Sequence, residues 1–119
     1  MSEISIVPLE SVEKIDLPGD SWSRMLIVGD RVGSASSLGY SVFKPGSATG
    51  SVAHETEEGA YVVSGSGRLD TDDGDVRFKA GDAIHIPPGT WHAVVNDSEE
   101  DVVMVFGFPH PDYPPTERR

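Results

Sequence analysis

The sequence predicts an all-β protein, a sandwich or barrel built from antiparallel strands. Short runs of β-branched and aromatic residues recur between turn-forming residues, and no stretch has the i, i+3, i+4, i+7 apolar recurrence of a long amphipathic helix. Asp73-Gly74 stands between two alternating segments, which is a strong signal for a β-hairpin. A chain of 119 residues has room for one domain, since domains typically span about 100–150 residues. We therefore expect a single domain over residues 1–119.

The alternating segments place the strands. Each segment is a short run of residues that favour strands, bounded by Gly, Pro, Asp, Asn or Ser. Eight strands are predicted, at residues 25–28, 38–43, 60–63, 68–70, 76–79, 83–86, 92–95 and 102–108. Eight short strands joined by such turns are typical of a sandwich or a barrel.

The two ends of the chain differ from this core. Within an N-terminal arm of residues 1–20, the piece 4–9 alternates and fits an edge strand or an arm exchanged with a second copy. The C-terminal residues 109–119 are rich in Pro, which excludes a helix or a central strand. We expect an extended tail there, held in part by Tyr113 and frayed at residues 118–119.

Charge and composition exclude several classes of partner. Nine Lys and Arg against 20 Asp and Glu leave a net charge of −11, which repels a nucleic-acid backbone. No apolar run is long enough for a membrane span, and the first residues lack the pattern of a signal peptide. Because the chain has no Cys, any metal must be bound by nitrogen and oxygen ligands. We expect a cytoplasmic protein with no nucleic-acid or membrane partner.

One passage near the C-terminal end of the core has a regular spacing. In GDAIHIPPGTWHAVVN, the positions G-x5-P-x-G-x2-H-x3-N are occupied by Gly81, Pro87, Gly89, His92 and Asn96. The Pro and Gly residues are typical of a tight turn, which delivers His92 from a separate strand.

A second passage lies earlier in the chain. The pattern G-x5-H-x-H-x3-E-x6-G is met by Gly46, His54, Glu58 and Gly65, but Val52 stands where the pattern has its first His. Together the two passages resemble the motifs of the cupin family. The resemblance covers residues 38–108, the predicted barrel core. It implies a small cupin with a single domain.

The resemblance implies both a fold and a metal site. The fold would be an antiparallel double-stranded β-helix, or jelly-roll barrel, with a pocket at one end. Cupins that carry the full motif bind a metal through both motif histidines, the glutamate and the later histidine. By position, this implies that His54, Glu58 and His92 are the ligands of a divalent metal ion, with Fe, Mn, Zn, Ni or Co as candidates.

Strand geometry permits such a site under one condition. Alternate side chains of a strand share a face, so Val52 and His54 point the same way. Along a straight strand Glu58 would lie about 13 Å from His54, too far to share an ion. If residues 55–57 form a hairpin loop, His54 and Glu58 flank it and lie across from each other. Two imidazoles and a carboxylate are then a plausible set of ligands for a divalent metal.

Val52 leaves three interpretations open. In the first, the metal is retained by two histidines and one carboxylate, with an extra open position for a substrate. In the second, the metal is lost and His54 transfers protons together with Glu58 or His92. In the third, the pocket binds a small ligand without catalysis.

The residues around the motifs receive simpler assignments. His85 is expected to be packed rather than catalytic. Glu57 is expected to be a loop charge, although a slipped register would let it replace Glu58. If Glu58 faces the pocket, alternation places Ala60 and Val62 beside it and turns Tyr61 away.

Two functions remain in competition. Cupins include dioxygenases, isomerases, decarboxylases, lyases and epimerases, so the resemblance implies no single reaction. The first hypothesis is a metal-dependent enzyme that acts on a small polar organic molecule, with His54, Glu58 and His92 as the catalytic residues. The second is a module that binds a small molecule without converting it. Cupins often form dimers, so the resemblance also implies a homodimer.

Overall fold

A computed structural model describes residues 3–119, which form eleven strands and three short helical segments. The strands are β1 Ile15–Asp16, β2 Trp22–Ile27, β3 Ser37–Phe43, β4 Val52–His54, β5 Glu58–Ser64, β6 Ser66–Thr71, β7 Gly74–Lys79, β8 Ala83–Ile86, β9 His92–Val95, β10 Val102–Phe108 and β11 Thr116–Arg118. The helical segments are the one-turn helix α1 Gly29–Val32 and two 3₁₀ turns, Leu9–Ser11 and Pro18–Asp20.

The strands form two antiparallel sheets. One has six strands in the order β1-β2-β3-β10-β5-β8, and the other has five in the order β11-β4-β9-β6-β7. Alternate residues of each sheet point into the space between them. The prediction of an all-β, antiparallel jelly-roll barrel is confirmed.

The predicted strand bounds agree with the observed ones where the hydrophobic alternation is strong. The segments 83–86, 92–95 and 102–108 have the predicted bounds, and the other five differ by one to three residues at an end. The predicted hairpin joins β6 to β7, with Thr71 opposite Gly74. Its turn is centred on Asp72-Asp73, one residue earlier than predicted. The eight predicted segments did not include β1, β4 or β11.

Both ends of the chain depart from expectation. Residues 4–8 form no strand, so of the two alternatives for residues 4–9 the edge strand is wrong. The expectation that the C-terminus is frayed is also wrong. Thr116–Arg118 pairs with β4, and Arg119 lies over the Trp91 ring, 4.3 Å from its centre. The backbone pairing satisfies groups that a frayed end would expose to water. Among residues 3–119, no helix is long and apolar enough to cross a membrane.

The interior contains two apolar clusters. One consists of Phe43, Val62, Leu69, Phe78, Val102 and Met104. The second consists of Met25, Val28, Phe106 and Phe108. Gly39 is required beside the second cluster, because a Cβ at this position would overlap the Phe106 ring.

The motif residue Asn96 connects the sheets by hydrogen bonds. It is fully buried, and its side-chain amide donates to the carbonyls of Phe43 at 2.9 Å and Glu100 at 2.7 Å. Its side-chain oxygen accepts from Ser98. A buried amide with all these partners stabilises the loop that leads into β10.

Candidate metal centre

Three side chains meet in the interior beside the second apolar cluster. His54, Glu58 and His92 each offer one ligand atom, and these atoms all lie within 4.8 Å of one another. Glu58 Oε1 is 3.2 Å from His54 Nε2 and 3.7 Å from His92 Nε2. The three residues singled out by sequence are therefore brought together.

The route by which they meet differs from the expected hairpin. His54 ends β4 in the five-stranded sheet, whereas Glu58 begins β5 in the six-stranded sheet. Residues 55–57 therefore cross between the sheets, and the hairpin expected there is wrong. His54 and Glu58 meet across the interior because the loop reverses the chain between two facing sheets.

Val52 lies on the same side of its sheet as both histidines. It is two residues before His54 on β4, so the two side chains share a face. It is also the direct antiparallel partner of His92 on β9, and side chains of such a pair point the same way. An imidazole at position 52 would therefore extend toward the three donors.

Burial and the neighbouring charges shift the pKa values of Glu58 and His92. Burial alone would raise the pKa of Glu58, but hydrogen bonds and charge from His54 and His92 outweigh it and hold that pKa below its ordinary value. Burial would lower the pKa of His92, but attraction to the Glu58 carboxylate and the hydrogen bond to the Thr90 carbonyl raise it overall. The site therefore favours a carboxylate beside an imidazole that binds a cation or a proton.

The donor set fits a divalent metal. Two donors that each lie about 2.1 Å from one ion are about 3 to 3.5 Å apart, close to the two nitrogen–oxygen distances found here. His92 Nδ1 is 2.9 Å from the carbonyl of Thr90, which can only accept a hydrogen bond. Its Nδ1 therefore carries hydrogen, and Nε2 faces Glu58 with a free lone pair when the ring is neutral.

Aromatic rings and the C-terminal segment surround the donors. The His54 ring packs edge-on against Phe108 and Tyr113, with centroids 5.0 Å and 5.3 Å away. Partial burial raises the pKa of the Tyr113 hydroxyl, and the Glu58 charge adds to the rise. Tyr113 thus holds the tail in place, as expected, and it does so by packing against His54.

A cavity of about 510 Å³ borders the site at His54, whereas Glu58 and His92 do not line it. It is lined by residues of β4, the turn before β9, and the C-terminal segment, among them His54, Trp91 and Thr116. A larger cavity of about 590 Å³ lies along the outer side of the six-stranded sheet, and His54, Glu58 and His92 do not line it. Of the two cavities, the smaller one contacts one candidate ligand, His54.

His85 and Glu57 form a separate pair outside the barrel. The expectation that His85 is packed is wrong, because its side chain is exposed and its Nε2 lies 2.8 Å from Glu57 Oε1. Alternation along β8 turns it away from buried Ile86. Glu57 does not replace Glu58, so the slipped register is also wrong. Inside the barrel, Val62 is buried and Ala60 half-buried, while Tyr61 is exposed, as alternation predicted.

Sequence reasoning missed Thr116. Its Oγ1 lies 2.8 Å from His54 Nδ1, across 62 positions of the chain. No motif spacing signals this contact, because it depends on the pairing of β11 with β4.

Comparisons with known proteins agree with this architecture. Residues 39–108 match the family model described as a Cupin domain. The polyketide cyclase RemF from Streptomyces resistomycificus superposes with a TM-score of 0.81 at 24% identity, over 98% of this chain and 85% of the cyclase. An oxalate decarboxylase from Lactobacillus farciminis gives 0.82 at 19% identity, over 92% of this chain but 34% of the decarboxylase.

Two further relatives differ in how much of their length matches this chain. A Cupin 2 conserved barrel domain protein from Salinispora arenicola gives a TM-score of 0.74 at 26% identity, over 90% of this chain and 89% of that one. A 1-hydroxy-2-naphthoate 1,2-dioxygenase from a Nocardioides species is 44% identical over 46 residues, which are 39% of this chain and 12% of the dioxygenase. Since the family model spans 70 of the 119 residues, the chain belongs to the cupin family.

Proposed function

We propose that this cupin is a metal-dependent enzyme that acts on a small polar organic molecule. In this proposal His54, Glu58 and His92 hold one divalent metal ion, which is Fe, Mn, Zn, Ni or Co. The observation that carries the proposal is the convergence of two imidazole nitrogens and one carboxylate oxygen within 4.8 Å in the interior. A buried carboxylate and two buried imidazoles destabilise a fold unless they are paired or bind an ion.

The three donors leave room on the ion for a small-molecule ligand. Two histidines and one carboxylate leave several coordination positions open on an ion. Val52 offers no ligand atom, so it leaves space where other cupins supply a fourth donor. A small molecule with two neighbouring oxygen atoms fits such a site better than a ligand with a single donor.

Each residue has a definable task. The ion, when bound, supplies Lewis-acid polarisation of a coordinated oxygen, or oxygen activation if it is iron. Glu58 contributes negative charge that balances the cation. His54 and His92 would each present their Nε2 atom to the ion. Phe108 and Tyr113 keep water away from His54 on one side, which strengthens electrostatic interactions at the site.

The relatives support an enzyme without naming its reaction. A cyclase, a decarboxylase and a dioxygenase are among the proteins with similar folds or sequences. This chain spans only 34% of the decarboxylase and 12% of the dioxygenase, and one fold hosts many reactions. We therefore limit the proposal to a small polar substrate.

Metal uptake tests the proposal directly. Protein purified without chelator should contain close to one equivalent of metal by elemental analysis, and metal-free protein should bind Fe(II), Mn(II) or Zn(II) in calorimetric titrations. His54→Ala should abolish binding. His85→Ala is the matched control, since it removes an imidazole that also faces a glutamate but lies outside the barrel.

Two results would contradict the proposal. If wild-type protein binds none of the three ions, the site is not a metal centre, and proton transfer by the histidines or simple ligand binding becomes the better explanation. If His54→Ala and His85→Ala lower the affinity equally, the ion is not held inside the barrel.

Assembly and location complete the proposal. We infer a homodimer, because apolar side chains are exposed on the outer side of the six-stranded sheet at Leu38, Tyr61 and Val63, and on the N-terminal arm at Ile4 and Ile6. The cytoplasm is the compartment that suits a chain without Cys.

A further inference from the structure

The C-terminal strand places a hydroxyl group beside one candidate ligand. In the antiparallel pair of β11 and β4, Thr116 is the direct partner of His54, so the two side chains point the same way. Thr116 Oγ1 is 2.8 Å from His54 Nδ1, which is the ring nitrogen that does not face Glu58.

Hydrogen-bond accounting fixes the direction of this contact. A threonine hydroxyl has one hydrogen to donate, and Thr116 Oγ1 donates it to the carbonyl of Pro114 at 2.8 Å. The carbonyl can only accept, so the hydroxyl oxygen must accept from His54 Nδ1. Nδ1 therefore carries hydrogen, which leaves Nε2, 3.2 Å from Glu58 Oε1, as the ring nitrogen that can coordinate an ion once it has given up its own hydrogen.

We propose that Thr116 is a positioning residue of the metal site, which holds His54 in the tautomer and orientation that present Nε2 to the ion. The proposal rests on the metal-binding function above. The two histidines are held by different means: His92 is fixed by a backbone carbonyl two residues away, whereas His54 depends on a side chain of β11. Metal affinity should therefore depend on the C-terminal strand.

The strand is anchored independently of this hydroxyl. The Glu55 amide donates to the carbonyl of Pro115 at 2.9 Å, and Arg119 pairs with Asp72 and stacks on Trp91. These contacts should keep β11 in place when the hydroxyl is removed. Thr116→Val keeps the shape and the strand preference of the residue but removes the hydroxyl, and with it the hydrogen bonds to His54 and to Pro114.

Calorimetric titration of metal-free protein with Zn(II) gives the first test. Thr116→Val should weaken binding by about 10- to 100-fold, the usual effect of losing a partner that orients a ligand. Thr116→Ser keeps the hydroxyl and should restore most of the affinity. Ser23→Ala is the control and should leave the affinity unchanged, because it removes a part-buried hydroxyl that is hydrogen-bonded to Ser41 and contacts none of the three candidate ligands.

Nuclear magnetic resonance supplies a second readout that needs no metal. Long-range ¹H–¹⁵N correlation at pH 9 should show a larger fraction of His54 rings with hydrogen on Nδ1 in wild-type protein than in Thr116→Val, because the valine cannot accept from Nδ1. The tautomer of His92 should stay the same in both proteins, and circular dichroism should show that both are folded.

The two readouts separate this inference from the proposed function. Wild-type protein that binds Zn(II) while Thr116→Val retains full affinity and the same His54 tautomer would overturn the role of Thr116 alone. If wild-type protein binds no metal, the metal site is refuted and the positioning role falls with it, whatever the tautomer.

Discussion

Two histidine–glutamate pairs lie on opposite sides of one sheet. Glu57 and Glu58 are neighbours in the chain, yet Glu57 pairs with His85 outside the barrel at 2.8 Å, while Glu58 pairs with His54 inside it at 3.2 Å. The outer side chains are 64% and 55% exposed for His85 and Glu57, whereas His54 and Glu58 are 4% and 14% exposed. The same residue types thus occupy two different environments.

The difference shows that burial, more than residue type, makes one pair a candidate site. An exposed ion pair is solvated and screened by salt, so it contributes at most about 1 kcal/mol. A buried carboxylate must be compensated, and Glu58 is compensated by a second imidazole, His92, which has no counterpart at the outer pair in the described chain. The inner pair alone has a third donor.

Removing the charge of each glutamate should give the largest contrast. Glu58→Gln removes the only carboxylate among the three donors, so Zn(II) affinity should fall about 100-fold, or about 2.7 kcal/mol. Glu57→Gln should leave the affinity unchanged, because its charge lies on the outer side of the sheet. Calorimetric titration of both variants measures the difference. Equal losses would mean that long-range charge, rather than coordination by Glu58, governs binding.

The inner and outer sides of this sheet were predictable from the sequence. Hydrophobic alternation gave the bounds of β8, β9 and β10, and it correctly turned Tyr61 outward and Val62 inward. Alternation works here because one face of each strand is buried, so a slip by one residue would expose the whole apolar set. The resemblance to the cupin motifs also identified the three residues that converge.

The contacts that depend on strand pairing were not predictable. The sequence Thr-Glu-Arg of β11 has no apolar alternation, and its partner β4 lies about 60 positions earlier, so the tail was expected to fray. The crossing of residues 55–57 between sheets likewise depends on the partners of β4 and β5, which local spacing does not encode. Thr116 was missed for the same reason.

An imidazole added on the inner side should have a smaller effect than loss of the carboxylate. Val52 is the antiparallel partner of His92 and shares a face with His54, so Val52→His supplies a fourth ligand. We expect Zn(II) affinity to rise about tenfold, or about 1.4 kcal/mol. Val63→His is the control, because Val63 is exposed on the outer side of β5. If both variants or neither bind more tightly, residue 52 does not face the ion.

The smallest effect expected is a change in how stability depends on pH. Glu58 has a pKa below its ordinary 4.5, so its contribution to stability is present above that value and is lost as pH falls through the lowered pKa. His92 has a pKa above its ordinary 6.5, so its contribution is present below that value and is lost as pH rises through the raised pKa. Metal-free protein should therefore lose the contribution of His92 as pH rises above 6.5, while that of Glu58 stays constant there.

Metal should reverse the sign of this slope. An ion binds the deprotonated imidazoles, so the stability that it adds grows as protons leave them. Urea unfolding between pH 5 and 8.5 should show a free energy that falls with pH in EDTA, by an amount reduced in Glu58→Gln but not in Glu57→Gln. With excess Zn(II) the free energy of the wild-type protein should instead rise. Parallel slopes with and without metal would mean that the ion does not compete with protons for His92, and that the inner pair resembles the outer one after all.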